Sequence, residues 1–183
     1  MNGATQDGLP RGHAPVATRQ DDAAQYLTFM LGGEMFGIGI LAIREIIEYA
    51  GVTEVPMMPP VVRGVINLRG AVVPVVDLQS RFGRAPTEIG RRTCIVILET
   101  RHAGERHVVG VVVDAVSAVL DIPASEIEPP PTFGTRIRSD FIQGMGKLQG
   151  RFIILLDVSQ VLSLDELGAF ETSAAGQELS PIA

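Results

Sequence analysis

The sequence predicts an all-β fold, two similar small barrels packed together with short helical turns, and three observations carry that prediction. First, Val61–Phe82 (VVRGVINLRGAVVPVVDLQSRF) is answered by Phe141–Leu162 (FIQGMGKLQGRFIILLDVSQVL). Shifted by 80 positions, Gly64 falls on Gly144, Leu68 on Leu148, Gly70 on Gly150 and Asp77 on Asp157. Second, each half holds roughly five short alternating or apolar runs set off by Gly and Pro corners, with almost no long helix. Such short antiparallel strands favour closure, which removes exposed edges. Third, 46% of the 183 residues are hydrophobic, enough for a solid core, while neither half alone could bury much.

The elements follow in order. Residues 1–24 are Gly, Ala, Pro, Thr and Asp with scattered charge; they bury too little to offset their ordering entropy and read as a disordered arm. Order begins at Gln25–Leu31, where Tyr26 and Thr28 alternate with Leu27, Phe29 and Leu31 as in a half-buried strand. Gly32-Gly33 is a tight turn and Met35–Ile40 the returning strand, in which Gly37 and Gly39 signal a bulge or a close backbone approach. Leu41–Glu45 reads as a helical turn and Ile46–Ala50 as a strand, although the isoleucines fit either period. Val52–Pro56 is extended, and Pro56, Pro59 and Pro60 hold an irregular loop. One turn at Val61–Gly64 leads to a strand at Val65–Leu68, and Arg69-Gly70 reverses the chain. Ala71–Val76 is apolar enough to be covered on both faces, with Pro74 where no neighbour needs an N–H. Asp77 caps the turn Leu78–Phe82.

After the polar connector 83–91, strands at 93–99 and 107–113 flank a slightly enlarged hairpin loop, Arg101–Arg106. A strand near Ser117–Leu120, a proline-bearing loop through Ile127–Pro131 and an exposed loop at Thr132–Ser139 come next. Strands at 145–148 and 152–156 and a turn capped by Asp157 complete the second copy. Ser163–Glu166 offers a capping box, and residues 168–183 read as a frayed tail. The first subdomain is placed at about 36–92 and the second at about 93–160, with the strand 25–31 open to exchange between them. Phe36–Ile40 pairs in the repeat with Val109–Val113, and Glu54-Val55-Pro56 with Ile127-Glu128-Pro129.

Composition narrows the function. A net charge of -6 and no block among 15 Lys and Arg residues argue against nucleic acid. The lone cysteine, Cys94, lies in an apolar run and reads as a core filler in a reducing compartment. The start carries no apolar signal segment, and no apolar run approaches a membrane span, so a cytosolic protein is expected. His13, His102 and His107 have no metal-ligand spacing, and no Gly-rich loop opens a long helix to cradle phosphate. No metal or other cofactor is expected.

Asp77, Asp114 and Asp157 are the residues on which a small β-barrel enzyme would depend. The simpler reading makes Asp77 and Asp157 caps of their own turns, with Asp114 either capping a turn or facing a partner. Arg69 sits at a turn, where it is either a solvated arginine or an interface anchor whose guanidinium holds a carboxylate, with Glu45 the mate in its own module. The second copy has Gln149 at that position. A group needed for folding alone would more readily recur, so the asymmetry leans towards binding. Ile38, Ile40, Val109, Val111, Ile95 and Ile97 exceed what two tiny barrels need; they fill a shared core, line a groove for a partner's amphipathic helix, or both.

The sequence resembles the CheW family of bacterial chemotaxis adaptors. The resemblance rests on Glu34–Ile38, Ile43-Arg44-Glu45-Ile46-Ile47, the block Arg63–Leu78 (RGVINLRGAVVPVVDL), Val109–Val116 and Ile142–Asp157, in the family's order across residues 25–167. It implies two SH3-like five-stranded β subdomains and a scaffold without catalysis. It also implies two partners, the regulatory domain of a CheA-type histidine kinase and the cytoplasmic helical tip of methyl-accepting chemoreceptors, with other CheW-like domains as neighbours in an array. Glu45 and Arg69 match positions important for coupling, and Val62, Val65 and Leu68 would lie near the kinase-facing end. Ile38, Ile40, Val96, Val109 and Val111 would be receptor-groove residues. The resemblance leaves open a two-component array serving another output.

Overall fold

The computed structural model describes residues 23–131 and 137–163. The arm up to residue 22, residues 132–136 of the second loop, most of the 163–166 capping box and the tail lie outside the described residues. Among the described residues the chain forms strands β1 (Ala23–Leu31), β2 (Glu34–Gly39), β3 (Ile43–Glu48), β4 (Val62–Leu68), β5 (Ala71–Asp77), β6 (Cys94–His102), β7 (Glu105–Val113), β8 (Ala115–Pro123), β9 (Ile127–Glu128), β10 (Ile142–Leu148) and β11 (Arg151–Leu156). Two one-turn helices, α1 (Leu78–Arg81) and α2 (Val158–Val161), follow β5 and β11. The fold is thus mostly β, in two sheets with short helices.

The repeat in the sequence is a repeat in the structure. Strands β4 and β10 bulge at matching points, between Val62 and Gly64 and between Ile142 and Gly144. The residues at the hairpin turns, Arg69-Gly70 and Gln149-Gly150, all have positive φ, as tight turns matched to strand twist require. Asp77 N–H donates to the Val61 carbonyl at 2.7 Å and Asp157 N–H to the Phe141 carbonyl at 2.8 Å. The parallel pairs also correspond: Val75 lies opposite Gly110 in one sheet and Leu155 opposite Gly37 in the other. Both glycines are there for closeness. A Cβ on Gly37 would stand 2.9 Å from Leu155 Cδ2, and one on Gly110 2.7 Å from Ile95 Cγ2.

Sheet membership does not divide the chain near residue 92. One sheet has the order β3-β6-β7-β5-β4, the other β8-β1-β2-β11-β10-β9. The first half of the chain therefore keeps three strands of its own and the second half four, and each sends its first hairpin, β1–β2 or β6–β7, into the sheet of the other half. A hairpin crosses, not the strand 25–31 alone, and it crosses in both directions.

This exchange explains the cores. Val73, Val75, Ile95, Ile97 and Val112 form a core cluster of the first sheet, and Tyr26, Ile122, Ile153 and Leu155 one of the second. The other faces of the exchanged hairpins meet in a third, larger cluster that includes Leu27, Phe29, Phe36, Ile38, Val96, Val109 and Val111. A row of rings crosses it: Phe29 to Phe36 at 6.1 Å, Phe36 to Phe82 at 5.7 Å and Phe82 to Phe141 at 6.0 Å between centroids. Arg81 closes the same joint, its Nε donating to the Val161 carbonyl at the end of α2 at 2.7 Å while its guanidinium lies over the Phe141 ring.

Several local expectations are revised. The helical turn is a 3₁₀ turn at Ile40–Ala42, and β3 starts at Ile43 because the ladder with β6 captures it. β4 begins at Val62, not Val65, since Val62 already pairs with Val76. The loop between β6 and β7 is not enlarged: Ala103-Gly104, both at positive φ, turn the chain in two residues. β5 is not covered on both faces along its length, for Val72 is 73% exposed in the part of the strand that precedes its pairing with β7. Parallel pairing with β7 begins at Val75, one residue beyond Pro74. Only Gly37 of the pair in β2 makes a close approach; Gly39 has open space around it.

Candidate functional site

Arg69 occupies the first position of the β4–β5 turn, in the left-handed region at φ 53°. The turn is locked by Asn67, whose Oδ1 accepts from Gly70 N–H at 2.8 Å. From there the guanidinium reaches back to β3 and grips Glu45 with two bonds, Nη1 to Oε1 at 3.0 Å and Nη2 to Oε2 at 2.8 Å. The bonds and the charge of Glu45 raise the Arg69 pKa above its ordinary value. The arginine side chain is still 76% exposed, so the pair is a fixed surface feature and adds little to folding.

The other repeat supplies a comparison. Glu45 faces Ile97 across its ladder, and the matching residue of β8, facing Thr28, is Ala118. The partner of Arg69 in the repeat is Gln149, with the same turn at φ 52°. The second turn thus keeps its shape without either charge, and the ion pair is not a requirement of the fold. Beside the pair lies a cleft of about 510 Å³, lined by Arg44, Leu68, Val72, Pro74, Arg106 and His107.

The structure brings some sequence candidates to this place and removes others. Leu68 lines the cleft and Val65 is half-buried on the same strand, while Val62 is 9% exposed and packs into the shared core. Ile38, Val96, Val109 and Val111 are 2%, 0%, 3% and 0% exposed and belong to the shared core, so the hairpin exchange takes them up in packing; Val109 alone of the four also lines the cleft beside the pair. Ile40 is half-buried beside the fully exposed Leu41, in a second cleft with Tyr26 and Val158.

The three aspartates have separate structural duties. Asp157 caps α2, accepting from Ser159 N–H at 3.1 Å and Gln160 N–H at 3.3 Å. Asp114 accepts from Gly32 N–H at 2.8 Å, which pins the β1–β2 turn to the end of β7 instead of capping a turn of its own. Asp77 caps α1 through Ser80 N–H but is wholly buried. It also accepts from Arg63 and, at 2.9 and 3.0 Å, from the N–H and hydroxyl of Thr87, so it anchors the connector. Burial works against the charge of Arg63, but the bonds and attraction from Asp77 and Tyr49 prevail and raise its pKa. Sequence reasoning missed Arg63 and Thr87. The signal for Arg63 was present: the repeat puts Gln143 opposite it, the same asymmetry that marked Arg69. Cys94 is half-buried, its thiol pushed up first by burial and then by the charge of Glu48. Among the described residues no three His, Cys, Asp or Glu side chains are grouped to hold a metal, and no helix is long and apolar enough to cross a membrane.

Residues 25–166 match the model of the CheW-like domain. The chain is similar to the chemotaxis protein CheW of Klebsiella aerogenes, 37% identical over 150 residues covering 82% of this chain and 88% of that protein. It is also similar to protein FrzA of Myxococcus xanthus, 29% identical over 149 residues, covering 80% and 90% of the two chains. Among solved structures, the scaffolding protein TtCheW from Thermoanaerobacter tengcongensis superposes with a TM-score of 0.69 at 32% identity, covering 77% of this chain and 93% of that one. A duplicated two-sheet body, structural bonds to the three aspartates and a family match across nearly all of the described residues converge: the chain belongs to the CheW-like domain family of non-catalytic chemotaxis scaffolds.

Proposed function

We propose that this chain is an adaptor coupling the cytoplasmic helical tips of methyl-accepting chemoreceptors to the regulatory domain of a CheA-type histidine kinase. It acts in the cytoplasm, recruited to membrane-associated receptor arrays in which other CheW-like domains are neighbours. Its two sheets curl as SH3-like barrels, one presenting the coupling site and both sharing the joint between them. The observation that carries this reading is the two-bond Arg69–Glu45 pair, exposed, rigidly presented and found in only one of two otherwise matching turns. Leu68 and Val65 extend that site towards the kinase. The receptor side falls to Ile40 and Leu41, because Ile38, Val96, Val109 and Val111 are occupied in the core.

The test is a pull-down of the kinase regulatory domain and of a receptor-tip fragment, each alone and both together. The wild-type chain binds each and assembles the ternary complex. Arg69→Ala keeps the wild-type melting curve and loses kinase activation in the ternary complex. A variant that unfolds, or one that activates like wild type, rules out Arg69 as a coupling residue.

A further inference from the structure

The cleft beside the Arg69–Glu45 pair has a chemistry that the pair alone does not explain. Its rim carries Arg44, Arg69 and Arg106, with side chains 56%, 76% and 65% exposed, together with His107. Among the described residues, two carboxylates pair with them. Glu45 is taken by Arg69, and Glu99 is shared by Arg44 at 4.0 Å and Arg106 at 3.9 Å. A chain of net charge -6 thus gathers three arginines and a histidine around one cleft. In their midst Val72 stands 73% exposed, on a side of β5 that elsewhere packs inward.

The duplication provides an internal control for what folding requires there. The ladders equate Arg44 with Ser117, each the extra residue where the ladder to the neighbouring strand slips. They equate Arg69 with Gln149, His107 with Glu34 and Val72 with Phe152; Arg106 corresponds to Gly33, in the β1–β2 turn. The second repeat has matching ladders and turns, and at those five positions it has no cation and one carboxylate; its one cation there, Arg151, stands where the cleft has Ala71. Its exposed apolar side chain remains, for Phe152 is 52% exposed. The cationic rim is therefore an addition to the fold and not a condition of it.

We infer that this cleft docks an acidic segment of a partner protein, whose carboxylates meet Arg44, Arg106 and His107 while an apolar side chain covers Val72. Charge complementarity selects that occupant: desolvating three guanidinium groups against a neutral or basic surface is costly, whereas carboxylates replace their water with charge-assisted bonds. The inference adds a partner chemistry to the site assigned above to kinase coupling and rests on that assignment only for its biological setting. Arg44 and Arg106 lie outside the Arg69–Glu45 pair, so the two claims can fail separately.

The test is fluorescence anisotropy of the full chain with two labelled dodecapeptides, one alternating Glu and Leu and one alternating Lys and Leu, at low and at physiological salt. The Glu/Leu peptide binds, and binds at least tenfold more tightly than the Lys/Leu peptide. Its affinity falls with salt, falls at least tenfold in Arg44→Glu/Arg106→Glu, and falls severalfold in Val72→Ser. Thermal melts of these surface variants match wild type. Failure of the Glu/Leu peptide to bind, equal binding of both peptides, or unchanged affinity in the double variant overturns the inference. If those results hold while Arg69→Ala leaves kinase activation untouched, the acidic-segment site stands and the coupling assignment falls; the reverse pattern removes the site and leaves the coupling.

Discussion

At the scale of the residue, two aspartates in the same place in their repeats have diverged. Asp77 is buried beneath Arg63 and Thr87, whereas Asp157 is a half-exposed cap whose carboxylate accepts within its own turn. Asp77→Asn leaves Arg63 without its anion and loosens the connector, so we expect a loss of about 3 kcal/mol in urea unfolding. That exceeds the loss of up to about 2 kcal/mol that a cap alone would lead one to expect. Asp157→Ala costs about 1 kcal/mol by the same measurement. Cys94 gives a pH-dependent expectation. Its thiol is pushed up by burial and by Glu48, so the folded state keeps its proton at a pH where the unfolded chain has lost it. Any stability linked to this group is intact below the unfolded-state pKa and declines as pH rises through the folded one. At pH 8 an aromatic disulfide reagent should label Cys94 more slowly in the native protein than in urea; equal rates would show that the thiol is not shielded.

At the scale of the element, much of the pattern could be read in advance, and the misses share a cause. The turns at Gly32-Gly33 and Arg69-Gly70, and the caps at Asp77 and Asp157, depend on neighbours a few residues away, and such signals survive in a string of letters. The start of β3, the reach of β4 and the partners of Val111 depend on which strand lies alongside, and periodicity says nothing of that. Arg63 was overlooked because its anion lies across a ladder, not along the chain. Glycine shows the same divide. Gly64 and Gly39 look alike in sequence, but a Cβ on Gly64 would come within 2.3 Å of the Thr53 carbonyl oxygen, and one on Gly39 would meet nothing. Gly64→Ala should therefore lower stability by about 2–3 kcal/mol. Gly39→Ala, at φ -56° and ψ 132°, should raise it by about 0.5 kcal/mol. Paired melting curves check both.

At the scale of the whole molecule, the duplication was legible, but its crossing was not. A repeat in sequence is equally compatible with two self-contained modules and with two that trade hairpins, since repeat-equivalent strands pair in either case. The trade makes an expectation about fragments. Residues 23–92 and 93–163, expressed separately, should each lack a cooperative transition by circular dichroism, because each sheet is missing its central strands. Mixed, they should regain one. A fragment that melts cooperatively alone would show that a half can complete its own sheet.

The traded hairpins also impose an order on synthesis. Of the described strands, β1 and β2 leave the ribosome first, yet the strands that flank them, β8 and β11, follow only after β3 to β7 have been made. The nascent chain must therefore carry an apolar ribbon with two open edges through most of its translation, and the newborn adaptor has every reason to meet a chaperone before it meets a receptor.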